Sequence, residues 1–338
     1  MPFDEAKNHA LAYATRVLDR IGGRRQHGIS TDDQPMSAAD SPLELKLAEL
    51  DRKFARLQQA TDCQNQTLHD VERRLTDVQA LTARVYEHLQ DWPAQLRQIR
   101  ETADYSRAWD DANPLVSVRI ATYQDPDLLC DRALRSVQRQ THENWECIVV
   151  GDADSEITAE RVRAIDDPRI SFLNLPFRGP YPDDPASRWR VAGIPAMNRG
   201  TQEANGLWIA PLDHDDEWDD DHIDVLLNHA RTSGAELVYG KLRVRDAASR
   251  RLVDNVVGAW PPVEGQFGLQ GTLYHASLRA FEMDLNARFA GEPGDWNLTR
   301  RMWEAGVKFA FLDRTVTTYY WTPKDADGRA WLEANFLE

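Results

Sequence analysis

The sequence is short of nearly everything that would place it across a membrane, outside the cell or on a nucleic acid. It has three cysteines in 338 residues, Cys63, Cys130 and Cys147, without metal-ligand spacing. A disulfide framework or a zinc ribbon is excluded, and a reducing, cytoplasmic setting is expected. No apolar run approaches the ~20 residues needed to cross a bilayer, so no transmembrane segment is expected. The start, Met1-Pro2-Phe3-Asp4-Glu5, lacks the basic segment and apolar stretch of a secretory signal. Cationic side chains are also scarce: 40 Lys and Arg face 55 Asp and Glu, a net charge of −15. A nucleic-acid binder needs a basic stripe to neutralise phosphates, so no such partner is expected. What remains, 42% hydrophobic and 28% charged residues, suits a soluble protein with a sizeable core.

Three changes of pattern divide the chain. Residues 1–23 read as an amphipathic helix, with Ala6, Ala10, Leu11, Ala14, Val17, Leu18 and Ile21 at helical spacing before Gly22-Gly23. Residues 24–42 are polar and turn-rich, as expected of a flexible linker. From Leu43 a seven-residue repeat sets in. One seam runs Leu47, Phe54, Thr61, Leu68, Leu75, Thr82, Leu89, Leu96; the other runs Leu43, Leu50, Leu57, Gln64, Val71, Val78, Val85, Trp92, Ile99. Fourteen of these seventeen positions are apolar, and a sustained 3.5-residue period implies left-handed supercoiling against a partner helix. Residues 43–112 are therefore expected to be a helical oligomerisation region, self-associating through 43–99. Pro93 should kink or restart the helix. Beyond Asn113-Pro114 strands alternate with helices: Leu115–Ala121, Trp145–Val150, Ile170–Leu175, Leu207–Leu212 and Glu236–Tyr239 against Asp127–Gln140, Ile157–Ile165, Pro195–Asn205 and Asp221–Arg231. This predicts an α/β domain over 113–323, a mostly parallel sheet flanked by helices. Residues 324–338 are expected to form a helical tail.

Chemistry concentrates in Leu212-Asp213-His214-Asp215-Asp216-Glu217-Trp218. An apolar run ending abruptly in acids reads as a buried strand whose carboxyl end meets solvent, where ligands bind in open α/β sheets. Carboxylates packed this closely resist shared ionisation unless a cation offsets them, and a hard divalent ion held by carboxylates and phosphates does so. The same acids also suit a helix cap ahead of Asp221–Arg231.

Several further stretches fall in order with this run. Val116-Ser117-Val118-Arg119-Ile120-Ala121-Thr122-Tyr123 opens the series, and Ala133-Leu134-Arg135-Ser136-Val137-Gln138-Arg139-Gln140-Thr141 follows. Next come Val149-Val150-Gly151-Asp152-Ala153-Asp154, then Met197-Asn198-Arg199-Gly200, and beyond the acidic run Gly294-Asp295-Trp296-Asn297-Leu298. With these motifs the sequence resembles the family 2 glycosyltransferases over about residues 114–321. The resemblance implies a Rossmann-like, A-type nucleotide-sugar-binding fold and a donor that is a UDP-, GDP- or dTDP-sugar. It implies that Ala121, Thr122, Tyr123, Asp152, Arg190, Asn198, Asp213 and His214 bind the donor, Tyr123 stacking on the base and Asp152 accepting from it. Asp215, with Asp213, would hold Mn²⁺ or Mg²⁺ on the diphosphate, and the metal neutralises the leaving group. Asp295 would be the general base of an inverting transfer, with Glu292 its competitor and a helix cap the structural alternative. Trp296, Trp303 and Trp321 are candidates for a sugar-stacking surface.

Three departures qualify the resemblance. The family often closes its metal site with a His, and Tyr319-Tyr320-Trp321-Thr322-Pro323 has none. Gly151 replaces the first Asp of the nucleotide-binding pair, leaving the base open. Arg301-Met302-Trp303 lacks the Gln-x-x-Arg-Trp of processive synthases, so single transfer to an unidentified acceptor is expected. A sugar-1-phosphate nucleotidyltransferase needs a glycine-rich loop where Ala121-Thr122-Tyr123-Gln124-Asp125 stands. The alternative from another class is a catalytically silent donor-fold protein assembled as a scaffold through its coiled coil.

Overall fold

The structure, a computed structural model, describes residues 42–246 and 252–321. The expected helix at 1–23, the body of the linker and the 324–338 tail lie outside the described residues. The chain divides into two units between His69 and Asp70.

Helix α1 spans Pro42–His88 without a break. Its seam is uncovered: Leu47, Leu50, Phe54, Leu57, Leu68, Val71, Leu75, Val78 and Val85 are each more than half exposed. After a short turn the Asp91 carboxylate caps α2, Trp92–Arg100, by accepting from the Ala94 N–H at 3.0 Å. Pro93 sits in the first turn, where its missing N–H leaves nothing unsatisfied, so it restarts the helix. Helix α3, Ala103–Asp110, follows. These two short helices belong to the core of the sheet-bearing unit. Trp92 stacks on Phe281 with ring centroids 4.1 Å apart, and Leu96 and Ala108 are fully buried. The last positions of the predicted seam, Trp92, Leu96 and half-buried Ile99, therefore fall in helices that pack within one chain. A heptad stripe records that one face is apolar, not what covers it.

Among the described residues nine strands form a single sheet: β1 Val116–Thr122, β2 Trp145–Gly151, β3 Ile170–Asn174, β4 Trp208–Asp213, β5 Glu217–Trp218, β6 Leu237–Asp246, β7 Leu252–Val257, β8 Thr272–His275 and β9 Phe309–Trp321. Their order is β3-β2-β1-β4-β8-β6-β9-β5, with β7 added on β6. The β3-β2-β1-β4 half is parallel, as the strand–helix alternation predicts, and every residue of β1 is buried, as befits a central parallel strand. The other half is mixed. β6 and β9 pair in parallel, whereas β4–β8, β6–β8, β6–β7 and β5–β9 are antiparallel. The reason is connectivity: only five residues separate β6 from β7, and the stretch from β7 to β8 holds no crossover helix, whereas parallel neighbours need such a crossover.

Helices cover both faces. Helix α4 runs through Pro126–Leu128, a π-helical stretch Leu129–Leu134, and Arg135–Gln138. With α8, His222–Ser233, it buries Leu129, Val137, Ile223 and Leu226 against Val118 and Ile120. On the other face lie α7, Ile194–Gln202, and α9, Gly294–Glu304, with Ile194, Ala196, Leu298 and Met302 in the core. Helices α5, Glu156–Arg163, and α6, Pro185–Val191, complete the set. Glu236, at the start of β6 and wholly buried, fastens α2 and α3. It accepts from Arg100 at 2.6 and 2.7 Å, the Tyr105 hydroxyl at 2.8 Å and the Lys308 N–H at 2.8 Å. No helix among the described residues is long and apolar enough to cross a membrane.

Candidate active site

The carboxyl ends of β1, β2 and β4 lie side by side. Register pairs Thr122 with Gly151 and Ala121 with Asp213, so the sequence-predicted residues meet along one edge. Ala121 and Thr122 are buried, while Tyr123 emerges half-exposed. The Thr122 hydroxyl is buried without a hydrogen-bond partner, a polar atom in need of one.

The Tyr123 ring is already covered. The Arg178 guanidinium stands over it, 3.8 Å from the ring centre, within cation–π range. Asp152 is buried and held by the same segment: its Oδ1 accepts from the Gly179 N–H at 3.0 Å and its Oδ2 from the Tyr181 hydroxyl at 2.6 Å. Burial and the Asp152 carboxylate push the Tyr181 phenol up. Arg178 and Tyr181 were not among the expected site residues. Both lie in a long loop whose return to the strand ends no local pattern encodes.

The missing Asp at Gly151 has a steric reason. A Cβ there would sit 2.6 Å from Asn174 Oδ1 and 2.9 Å from Asp154 Cβ, far inside van der Waals contact. Asp154 supplies a carboxylate to the turn instead. Its Oδ1 accepts from the Gln124 N–H at 3.0 Å, the Ser155 N–H at 2.7 Å and the Thr158 hydroxyl at 2.9 Å. These bonds hold Gln124 in a left-handed conformation, φ 57°.

At the end of β4, burial and the neighbouring Asp215 charge raise the Asp213 carboxyl, while Arg119 and His214 oppose the shift. Asp216, fully buried, is pushed well above the ordinary range by burial, then by Asp215 and Asp213. One Asp216 oxygen accepts from the Tyr320 N–H at 2.8 Å; the other has no partner. Arg132 donates to the Asp215 carbonyl and lies 3.6 Å over the Tyr320 ring, which fixes the backbone of the acidic turn. Half-buried His214 stands between the two acids.

Asp295 occupies the first turn of α9, as expected, and its Oδ1 accepts from the Trp296 N–H at 2.8 Å. Part of its surface reaches solvent, yet crowding by protein pushes the carboxyl up to about 6, with the Asp213 and Glu264 charges adding to the rise. The fields of Asp216, Asp215, Asp213 and Asp295 all act on the Tyr319 hydroxyl, which burial and these charges raise. The acidic turn and the start of α9 thus lie within electrostatic reach of one another.

Several of the expected residues are drawn into structural work. Glu292 is buried, and its oxygens accept from Arg84 at 2.7 Å, Arg300 at 2.8 and 2.9 Å, and Asn297 at 2.8 Å. Burial alone would raise this carboxyl. The bonds from Arg300 and Asn297 and the guanidinium charges outweigh it, leaving the group below its ordinary value. A carboxylate so engaged is a poor base. Asn198 spends its side-chain amide on the Met283 backbone, donating to the carbonyl at 2.9 Å and accepting from the N–H at 3.0 Å. Arg190 donates to the Gly291 carbonyl at 3.0 Å and the Ala186 carbonyl at 3.3 Å. Trp321 packs with Leu242, Val244 and Val257. Trp303 meets Trp260 and Phe309 at 5.6 and 5.3 Å.

Among the described residues no three His, Cys, Asp or Glu side chains converge closely enough to form a metal cage. The oxygen-only, mutually repelling set of Asp213, Asp215 and Asp216 nevertheless fits a hard divalent cation that takes its remaining ligands from phosphate and water.

Comparison with known proteins agrees with this geometry. Residues 117–182 and 186–283 match the family described as Glycosyl transferase family 2. WcaA of Escherichia coli (strain K12), named as a colanic acid biosynthesis glycosyl transferase, is 31% identical over 119 residues, covering 35% of this chain and 38% of that protein. The succinoglycan biosynthesis protein ExoO of Rhizobium meliloti (strain 1021) is 32% identical over 142 residues, 42% of this chain and 37% of that one. WfgD of Escherichia coli, a UDP-Glc:alpha-D-GlcNAc-diphosphoundecaprenol beta-1,3-glucosyltransferase, is 25% identical over 130 residues, 38% of this chain and 46% of that one. The chain spans less than half the length of these relatives.

Proposed function

Because residues 117–182 and 186–283 make up a glycosyl transferase family 2 domain, we propose that the protein is a glycosyltransferase. In this reading it moves a sugar from a nucleoside-diphosphate donor to an acceptor hydroxyl, with inversion and one sugar at a time. The observation that carries this reading is the acidic end of β4 lying beside the ends of β1 and β2, with the Asp295 carboxyl raised to about 6 by burial and in part by the Asp213 charge. A carboxylate poised near neutrality is a better proton acceptor than an ordinary one.

The nucleoside lies at the ends of β1 and β2. Its base stacks on Tyr123 in the place Arg178 now covers and is read by Asp152, so the 177–181 segment shifts as donor enters. Ala121 and Thr122 line the floor, and Asp213 takes sugar hydroxyls. Asp213 and Asp215 hold Mn²⁺ or Mg²⁺, which when bound offsets the diphosphate charge. Arg132 keeps the Asp215 backbone in place. Asp295 accepts the acceptor's proton as that oxygen bonds to the anomeric carbon from the face opposite the diphosphate. The bond to the diphosphate oxygen breaks and its electron pair leaves with the nucleotide. Arg190, hydrogen-bonded at the Gly291 corner, is placed at the rim. UDP is the first donor class to try, since WfgD is named for UDP-Glc. We further propose that the open seam of α1 pairs with a second copy of the chain.

The deciding experiment is thermal unfolding with UDP, GDP, dTDP and their glucose or mannose sugars, each with and without Mn²⁺. A ligand bound only by the native state raises the melting temperature, by about 2.7 kcal/mol of stability at a hundredfold excess over Kd. One nucleotide should stabilise strongly with Mn²⁺ and weakly after EDTA, and Asp215→Asn should remove the difference. No stabilisation by any nucleotide would point to a silent scaffold.

A further inference from the structure

The turn that carries Asp295 is tied to α1. Asp295 sits between Glu292 and Asn297, and both of these are tied to the last turns of that helix. Arg300 is the hub. Its Nε and Nη2 donate to the two Glu292 oxygens at 2.8 and 2.9 Å, while Nη2 also donates to Glu87 at 2.8 and 3.0 Å. Its Nη1 donates to Glu304 at 2.8 Å. Asn297, fully buried, donates from Nδ2 to Glu87 at 2.9 Å and to Glu292 at 2.8 Å. Its Oδ1 accepts from Arg301 at 2.9 Å. Arg84 closes the ring on Glu292 at 2.7 Å. The Arg300, Glu87 and Glu292 side chains are each about nine-tenths buried, whereas Arg84 is 37% exposed.

We infer that Glu87 and Arg84 are positioning residues for the reaction, holding the Glu292–Asn297 turn so that Asp295 stays at its post. The inference rests on Asp295 being the base. The Asp295 carboxylate is bonded to the N–H of the next residue, Trp296, so its place follows the backbone of the turn. On one side that backbone abuts α6 and α7. A Cβ on Gly294 would sit 2.8 Å from Ile194 Cδ1 and 3.3 Å from the Arg190 carbonyl, so the turn has no room to move that way. On the other side α1 is the restraint. Without the Glu87 carboxylate, Asn297 loses one of two acceptors and the buried Arg300 loses one of its counter-charges. Buried groups stripped of partners reorganise to recover them, and the turn is the element free to do so.

The test uses the full chain, with Glu87→Gln and the milder Arg84→Gln, and Arg84→Lys as the rescue. Hydrogen–deuterium exchange is followed over residues 292–298, and turnover is read as UDP release from UDP-glucose with Mn²⁺. Both Gln variants should speed exchange at 292–298 at least tenfold and leave β1, β2 and β4 unchanged. They should lower kcat at least fivefold at constant donor KM, and Arg84→Lys should restore most of it. In an Asp295→Asn background Glu87→Gln should cost nothing further, because its effect acts through that carboxylate. Unaltered exchange at 292–298, or a kcat loss that multiplies in full onto Asp295→Asn, overturns the inference. If Asp295→Asn itself turns over normally, the base assignment falls, and the exchange measurement still decides whether α1 holds the turn. The same measurement decides it if UDP-glucose is not a donor.

Discussion

Replacing Asp295 by asparagine should disable the protein and stabilise it at once. Burial lifts the Asp295 carboxyl from 3.8 to about 6, and each unit corresponds to about 1.4 kcal/mol. Keeping the group ionised in the folded state thus costs about 3 kcal/mol at most, and about 1–2 kcal/mol once screening at its exposed edge is allowed for. Between the ordinary and the raised value the folded chain holds a proton that the unfolded chain has released. Stability therefore falls as pH rises through that window, and the full penalty is present above pH 6. The neutral amide escapes it. At pH 8 the variant should melt roughly 3–6 °C above wild type, and the gain should shrink to about half near pH 5. Circular-dichroism melts at the two pH values and nucleotide release at pH 8 check both halves. Wild-type turnover should rise with pH through a limb near 6, lowered when a divalent cation offsets Asp213. An Asp295→Asn variant that melts at or below the wild-type temperature at pH 8 refutes the buried-base argument.

Two more perturbations probe the scaffold. Glu236→Gln leaves the Arg100 guanidinium without its buried counter-charge and should lose about 3–5 kcal/mol in urea unfolding. Burial raises this carboxyl, but Arg100, the Lys308 N–H and Tyr105 outweigh it. With its folded value below the ordinary one, its contribution should be present at neutral pH and fade as pH falls. Glutamates at the exposed Val71, Leu75 and Val78 should turn an assembled species into monomers in sedimentation velocity without lowering the melting temperature of the sheet-bearing unit; an unchanged mass removes the seam from the assembly.

The parallel half of the sheet was legible because its strands are apolar runs that end sharply in polar turns, as at Leu212-Asp213. The thirteen-residue β9 was not. Its Thr- and Tyr-rich sequence sits in half-buried surroundings, and register shifts interrupt its pairing with β6, so neither an apolar run nor a clean alternation announces it. The heptad stripe was read correctly as a helix and incorrectly as one continuous seam, since Trp92 and Leu96 keep the phase while turning inward. Local pattern alone puts Asp213 and Asp215 at the end of a strand and Asp295 at the start of a helix, and the structure has them there. Glu292, the competing candidate, accepts from Arg84, two hundred residues away in sequence, a tie that no local pattern encodes. Arg178 and Tyr181 carried no local signal at all.

The tight packing around Gly151 makes the turn after β2 hard to revise. An acidic side chain cannot be regained there by one substitution, because Asn174 fills the space and uses its own amide to hold the Asp154 carbonyl. A descendant that recovered a second acid would need a smaller residue at 174 and a new tie for that turn in the same step. Each change alone is harmful, so drift toward the two-acid arrangement is blocked, and any new donor preference in this lineage has to arise elsewhere along the pocket.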